Sequence, residues 1–208
     1  MTEYYIPAGP GEAEFVEKRS SFLGHVRMVE TEEEAKAFVQ AVKKEHYDAR
    51  HNCWCYAIKD GPTRYSDDGE PQGTAGQPML DVFLRQGITN FVCVVTRYFG
   101  GILLGTGGLV RAYTKSAKDA LDAAGVSVVR RWVEMGVPCS YSQFERLRLE
   151  TEAHDGIITE IEYGADVTIM AMIPEEKADT FSARIFDMTG GTVETIPLGE
   201  AFRPVRIR

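Results

Sequence analysis

Residues 132–139 place Val133, Met135, Val137 and Cys139 on one side of an extended chain, the period-two pattern of a half-buried strand. Ser142 and Glu145 follow as a capping-box pair and predict a helix to about His154. Residues 157–163 and 167–173 read as two strands joined at Gly164-Ala165-Asp166, a tight hairpin signal. Pro174 suits a helix start, and Ala178, Phe181 and Ile185 share one face of that helix. Gly190-Gly191 stops it, and residues 192–196 read as a last strand. The order is βαββαβ, the ferredoxin-like pattern.

The earlier part is less regular. Residues 14–29 read as one or two strands. Thr31 and Glu34 form a capping box, and Ala35, Phe38, Val39 and Val42 line one face of the helix that follows. Residues 52–59 read as a strand, and residues 60–76 as a loop dense in Gly, Asp, Pro and Ser. Pro78 opens a short helix that Gly87 ends. Residues 90–97 are apolar enough for a strand buried on both faces. A glycine-rich turn leads to a long helix from about Gly107 to Ala124, stopped by Gly125. The pattern changes near residues 126–131, so the expected domains are 1–128 and 129–208. The fold class expected is α+β.

At 44% hydrophobic and 26% charged, the composition excludes collagenous, disordered and disulfide-scaffold classes. The longest apolar runs, such as residues 91–95 and 102–104, are far short of the roughly 20 residues a membrane helix needs. Residues 1–10 lack a basic start followed by an apolar stretch, so no secretory signal is expected. A cytoplasmic protein with no membrane partner is the expectation. The four cysteines, Cys53, Cys55, Cys93 and Cys139, are expected as reduced thiols. The formal net charge of −8 argues against indiscriminate nucleic-acid binding. Residues 1–128 carry 14 basic and 17 acidic side chains, so any phosphate contact there must come from a local cluster.

One such cluster follows the apolar strand. Five glycines, Gly100, Gly101, Gly105, Gly107 and Gly108, fall in nine residues between Arg97 and Arg111. Free backbone N–H groups at a helix start favour an anion. On the helix, Arg111, Lys115 and Lys118 make one basic stripe, while Leu109, Tyr113, Ala117 and Leu121 make an apolar one. The functional reading is a phosphate-contacting edge for RNA or a nucleotide. The plain alternative is glycine for tight packing and an ordinary solvated helix face. The run is neither a Walker A nor a dinucleotide fingerprint.

Asp67, Asp68 and Glu70 put three carboxylates within four residues. They could hold Mg²⁺, or form a partner-facing loop, or simply satisfy their own turn; the last is favoured, and no metal or cofactor is expected. His51, Cys53 and Cys55 point one way on a strand and Trp54 and Tyr56 the other. A zinc site lacks a second ligand pair nearby in sequence, and buried core cysteines are the simpler reading. Arg203, Arg206 and Arg208 read as a small basic, solvated end.

Four stretches together resemble the IMPACT family, and specifically its bacterial YigZ-like branch. They are Lys18-Arg19-Ser20-Ser21-Phe22, residues 51–57 (His-Asn-Cys-Trp-Cys-Tyr-Ala), residues 66–78 from Ser66-Asp67-Asp68-Gly69-Glu70 to Gly76-Gln77-Pro78, and residues 95–113 around Tyr98-Phe99-Gly100-Gly101. The resemblance implies a first domain of the ribosomal protein S5 second-domain type. It implies a ferredoxin-like second domain similar to the last domain of elongation factor G. Eukaryotic members regulate translation initiation through protein contacts but carry a different partner domain. For the bacterial branch the family implies no settled activity. Nucleic-acid or ribosome binding is the usual inference, and it rests on analogy of fold. Three readings therefore stay open: a non-enzymatic, translation-linked regulator that binds RNA or the ribosome, a protein-interaction module, and a Mg²⁺-dependent enzyme acting on a phosphorylated small molecule.

Overall fold

The computed structural model describes residues 3–208. The chain divides into two units. One takes residues up to Val129 together with Pro204–Arg208, and the other is Arg130–Arg203.

In the first unit, β2 (Gly11–Glu17), β3 (Ser20–Met28), β4 (His51–Ala57), β5 (Thr63–Ser66) and β6 (Phe91–Tyr98) form an antiparallel sheet. Its order is β2-β3-β6-β4-β5. A four-residue strand, β1 (Tyr4–Pro7), pairs instead with residues Val126–Val129. Strict alternation along β4 and β6 sorts their side chains between two cores. Tyr56, Val92 and Val94 face helix α1 (Glu32–Glu45), with Val39 and Val42. Cys53, Cys55, Phe91, Cys93 and Val95 face α2 (Gly76–Leu84) and α3 (Thr106–Ala124). Both faces of β6 are covered, as its unbroken apolar run requires. Each large side chain buried here is worth about 1.5–3 kcal/mol.

The Thr31–Glu34 capping box forms: Thr31 Oγ1 accepts the Glu34 N–H at 3.1 Å, and Glu34 Oε2 accepts the Thr31 N–H at 3.3 Å. α2 begins at Gly76, two residues before the expected Pro78. The expected loop of residues 60–76 contains β5, an edge strand of exposed or half-buried residues with no apolar face to announce it.

The second unit has the expected order. The part of β7 (Val126–Cys139) from Trp132 onward pairs with β9 (Val167–Pro174), which pairs with β8 (Ile157–Tyr163). β10 (Ile196–Arg206) lies on the other side of β7, giving the sheet order β10-β7-β9-β8 of a ferredoxin-like domain. Helices α4 (Tyr141–Ala153) and α5 (Glu175–Met188) cover one face, burying Leu147, Phe181 and Ile185 against Met135, Val137, Ile169 and Ile173.

Two expectations change. The cap of α4 is Ser140 with Gln143, not Ser142 with Glu145: the Ser140 N–H donates to Gln143 Oε1 at 3.1 Å, because β7 ends at Cys139 and the chain turns at once. Residues 192–195 are not strand. Val193 is buried in the core, its N–H donating to Thr189 Oγ1 at 3.2 Å, and β10 starts only at Ile196. The arginine tail is exposed, as expected, and it is also anchored through its backbone. Arg203 and Arg206 lie in β10, the Arg208 carbonyl accepts the Val126 N–H at 3.0 Å, and the Arg208 guanidinium donates to Gln86 Oε1 at 2.6 Å.

Candidate functional site

His51 and Arg97 are direct cross-strand partners on β4 and β6. Both point to the α3 side, beyond the apolar rows of the same strands, at the end of the sheet where α3 begins. Between them lies Glu70, from the loop that the sequence leaves as a polar turn. Arg97 Nη1 donates to Glu70 Oε1 at 2.6 Å, and the Tyr113 hydroxyl of α3 donates to the same oxygen at 2.8 Å. His51 Nε2 stands 4.0 Å from it. The His51 Nδ1 lies 2.9 Å from the Asp68 carbonyl. A carbonyl only accepts, so Nδ1 carries the proton and a neutral ring turns its Nε2 lone pair toward Glu70.

The loop that delivers Glu70 is built by its two neighbours. Asp67 accepts the backbone N–H groups of Gly73, Ala75 and Gly76 at 2.8, 3.0 and 2.8 Å. Asp68 takes the Asn52 N–H at 2.7 Å and the Lys43 ammonium at 2.6 Å. All three carboxylates are thus engaged by protein donors. Cys53 donates its thiol to the Asp67 carbonyl at 3.0 Å. Burial pushes the Cys53 thiol and the Tyr113 hydroxyl well up from their ordinary ranges, so both stay protonated; Cys53 is not a thiolate nucleophile.

The glycine-rich turn closes the site from above. Gly100 must be glycine: a Cβ there would stand 2.1 Å from the Arg19 carbonyl oxygen, and its N–H donates to Ser20 Oγ at 3.1 Å. Gly105, at φ 73°, is the N-cap of α3 and offers no side-chain acceptor. The first-turn N–H groups of α3 therefore have no capping side chain. A pocket of about 370 Å³ opens here, lined by Arg50, His51, Glu70, Arg97, Phe99 and the start of α3. The guanidinium groups of Arg97 and Arg50 lie 5.5 and 6.0 Å from the Phe99 ring centre, within cation–π range.

The basic stripe lies on the other side of the same helix start. Arg111 makes no ion pair among the described residues, whereas Lys115 pairs with Asp119 at 2.7 Å and Lys118 with Asp122 at 2.6 Å. A groove of about 270 Å³ between α3 and the β2–β3 hairpin is lined by Lys18, Gly108, Arg111 and Lys115. The nine predicted phosphate-binding residues therefore separate. Arg97 is buried in the pocket, Arg111 and Lys115 line the groove and join Lys118, about one turn past Lys115, along a second open groove of about 400 Å³, and the glycines lie between the pocket and these grooves. His51 and Arg50 were not singled out for this role. The sequence signals for His51 are its place on a strand beside two cysteines and its position at the head of one of the four family-like stretches.

The Impact N-terminal domain model matches residues 18–121, and the Domain of unknown function (DUF1949) model matches residues 137–192. The chain is 38% identical to the IMPACT family member YvyE of Bacillus subtilis, over 92% of this chain and 89% of that one. It is 37% identical to the IMPACT family member YigZ of Escherichia coli, over 96% and 100%. A Dictyostelium discoideum protein named Protein IMPACT homolog is 36% identical over 43% of this chain and 27% of its own length. A crystal structure of a hypothetical protein superposes with a TM-score of 0.59 at 36% identity, covering 96% of this chain and 98% of that one.

Proposed function

The chain belongs to the IMPACT family, and from that premise we propose that it is a non-enzymatic, cytoplasmic, translation-linked protein that binds RNA, on the ribosome or apart from it. The observation that carries this reading is the row of cations along α3. Arg111, Lys115 and Lys118 line one open groove and Lys18 joins Arg111 and Lys115 in the next, with Asp119 and Glu17 the carboxylates beside them, in a protein whose net charge is −8. The pairing of Lys115 and Lys118 with aspartates does not remove them. Both pairs are exposed, and exposed pairs are worth about 0–1 kcal/mol, so either ammonium can turn to a phosphate at little cost.

The test is co-sedimentation with ribosomes across a salt series, comparing the unaltered chain with the Arg111→Glu, Lys115→Glu, Lys118→Glu variant. The expected result is salt-sensitive binding that weakens in the variant. The slope of log affinity against log salt should fall by about 0.7 for each single-strand phosphate left without its cation. An unchanged slope would sink this choice of residues. No co-sedimentation at low salt would remove the ribosome as the partner, and a short single-stranded RNA that also fails to bind at low salt would sink the reading itself.

One observation favours a protein partner. Leu103 is 82% exposed, with Ile102 and Phe99 exposed beside it on the turn, an apolar tip that suits a protein as well as a base. Affinity capture from the native cell with and without nuclease separates the two: partners retained after nuclease treatment favour the protein.

A further inference from the structure

We infer that the pocket bounded by β4, β6 and the first turn of α3 is a site for a single nucleotide, its phosphate at the helix start and its base or sugar on Glu70 and His51. This rests on the preceding reading only in taking RNA as one source of the nucleotide; a free nucleoside monophosphate is the other.

Size comes first. A pocket of about 370 Å³ is far larger than a lone anion needs and falls in the range of roughly 300–1,000 Å³ usual for small-molecule sites. Its walls are chemically divided. At one end the N–H groups of Thr106, Gly107 and Gly108 meet no capping side chain, and Arg50 stands nearby. Gly105 and Thr106 are the residues of this helix start that line the pocket. Gly105, the N-cap at φ 73°, adds no side chain to fill the approach, so an anion there would meet the Thr106 N–H and the positive end of the helix.

The other end is an ion pair with valences left over. Arg97 is only 6% exposed, yet its Nε–H has no acceptor. Glu70 accepts two donors, both on Oε1, and Oε2 takes none among the described residues. A buried pair is worth having for stability only when its hydrogen bonds are complete, and this one is not. Oε2 of Glu70 and Nε2 of His51 are adjacent acceptors for a base N–H, an amino group or a sugar hydroxyl. Between the two ends Phe99 and Leu103 offer an apolar face on which a planar base can stack. A dianionic group at one end, hydrogen-bond donors at the other and a flat ring between them is the chemistry of a nucleotide.

The experiment titrates the full-length ¹⁵N-labelled chain with AMP, GMP, CMP and UMP, and in parallel with inorganic phosphate, the corresponding nucleosides and a short single-stranded RNA. At least one nucleotide is expected to shift the amides of Thr106, Gly107 and Gly108 and to bind at least tenfold more tightly than its nucleoside or phosphate alone. Thr106→Pro, which removes the N–H of a pocket-lining residue at the first helical position, where proline is well tolerated and so should fold, is expected to weaken that binding at least tenfold. Glu70→Gln, if folded, should weaken nucleotide but not phosphate. The inference is overturned if millimolar nucleotide shifts none of these amides, if phosphate alone binds as tightly, or if Thr106→Pro binds like the parent. The two readings fail separately. RNA that binds without competition from mononucleotide leaves the basic groove standing and removes the pocket. Mononucleotide that binds where RNA does not leaves the pocket standing and removes the RNA reading.

Discussion

Tyr113 and Glu70, 43 residues apart, meet at 2.8 Å where α3 crosses the carboxylate loop. The same oxygen takes Arg97 at 2.6 Å, so a helix, a loop and the central strand of the sheet converge on one atom. Loss of either partner is unequal in consequence. Glu70→Ala leaves a buried guanidinium without a counter-charge and should cost about 3–5 kcal/mol. Tyr113→Phe removes one hydroxyl donor while Arg97 stays paired and should cost about 1 kcal/mol. Urea denaturation of the two variants measures this, and equal losses would refute the convergence.

Asp67 holds three backbone N–H groups. Asp67→Ala strands them, at about 1–3 kcal/mol for each group that water cannot reach. Amide hydrogen exchange should show Gly73, Ala75 and Gly76 losing protection while β6 keeps its own. Protection unchanged at those three amides would mean that the turn orders itself without the carboxylate.

His25 gives the acid side of the stability profile. Burial lowers its pKa; Glu12 opposes this, and His46, with its ring centre 5.5 Å away, adds to the lowering. Its Nε2 is buried without a partner. The unfolded ring therefore takes a proton more readily than the folded one, and stability should fall as pH drops below about 6.5. His25→Gln should flatten that limb in thermal melts between pH 5 and pH 7 (approximate limits set by the same reference value). A limb of unchanged steepness would clear His25 of the effect.

The thiols give the alkaline side. Burial raises the Cys53 and Cys55 thiols, and Cys93 beside Cys55 adds to the second. The folded state then keeps protons that the unfolded chain releases above about pH 8.5, so stability should decline as pH rises beyond that value. In the native state at pH 8 the four buried cysteines should react with a disulfide reagent only as fast as the chain opens. A prompt burst from Cys53 would contradict its burial.

Local pattern was enough for elements that contain their own evidence. The Thr31 cap, the buried run of β6 and the βαββαβ order all rest on residues close in sequence. β1 and β5 escaped because four residues on an edge show no periodicity. The two candidate caps of α4, Ser140 with Gln143 and Ser142 with Glu145, fit the same spacing rule. Only the end of β7 at Cys139 selects between them. The pocket was less legible for the same reason. Glu70 reads as a solvated turn residue until the register of β4 on β6 brings His51 opposite Arg97, and that register is a long-range fact. The glycines were visible, but their division between a packing need at Gly100 and open space at Gly107 needs the neighbours in place.

The pairing of Val126 with Arg208 and Ile207 has a bearing on the order of events during synthesis. Pro204–Arg208 complete the first unit but follow all of Arg130–Arg203 in the chain. A growing polypeptide therefore has every strand of the second unit but the last residues of β10 before it can finish the unit whose strands emerged first. Until those five residues appear, the Val126 N–H has no carbonyl to meet, and the N-terminal unit waits, nearly assembled, on a part made last.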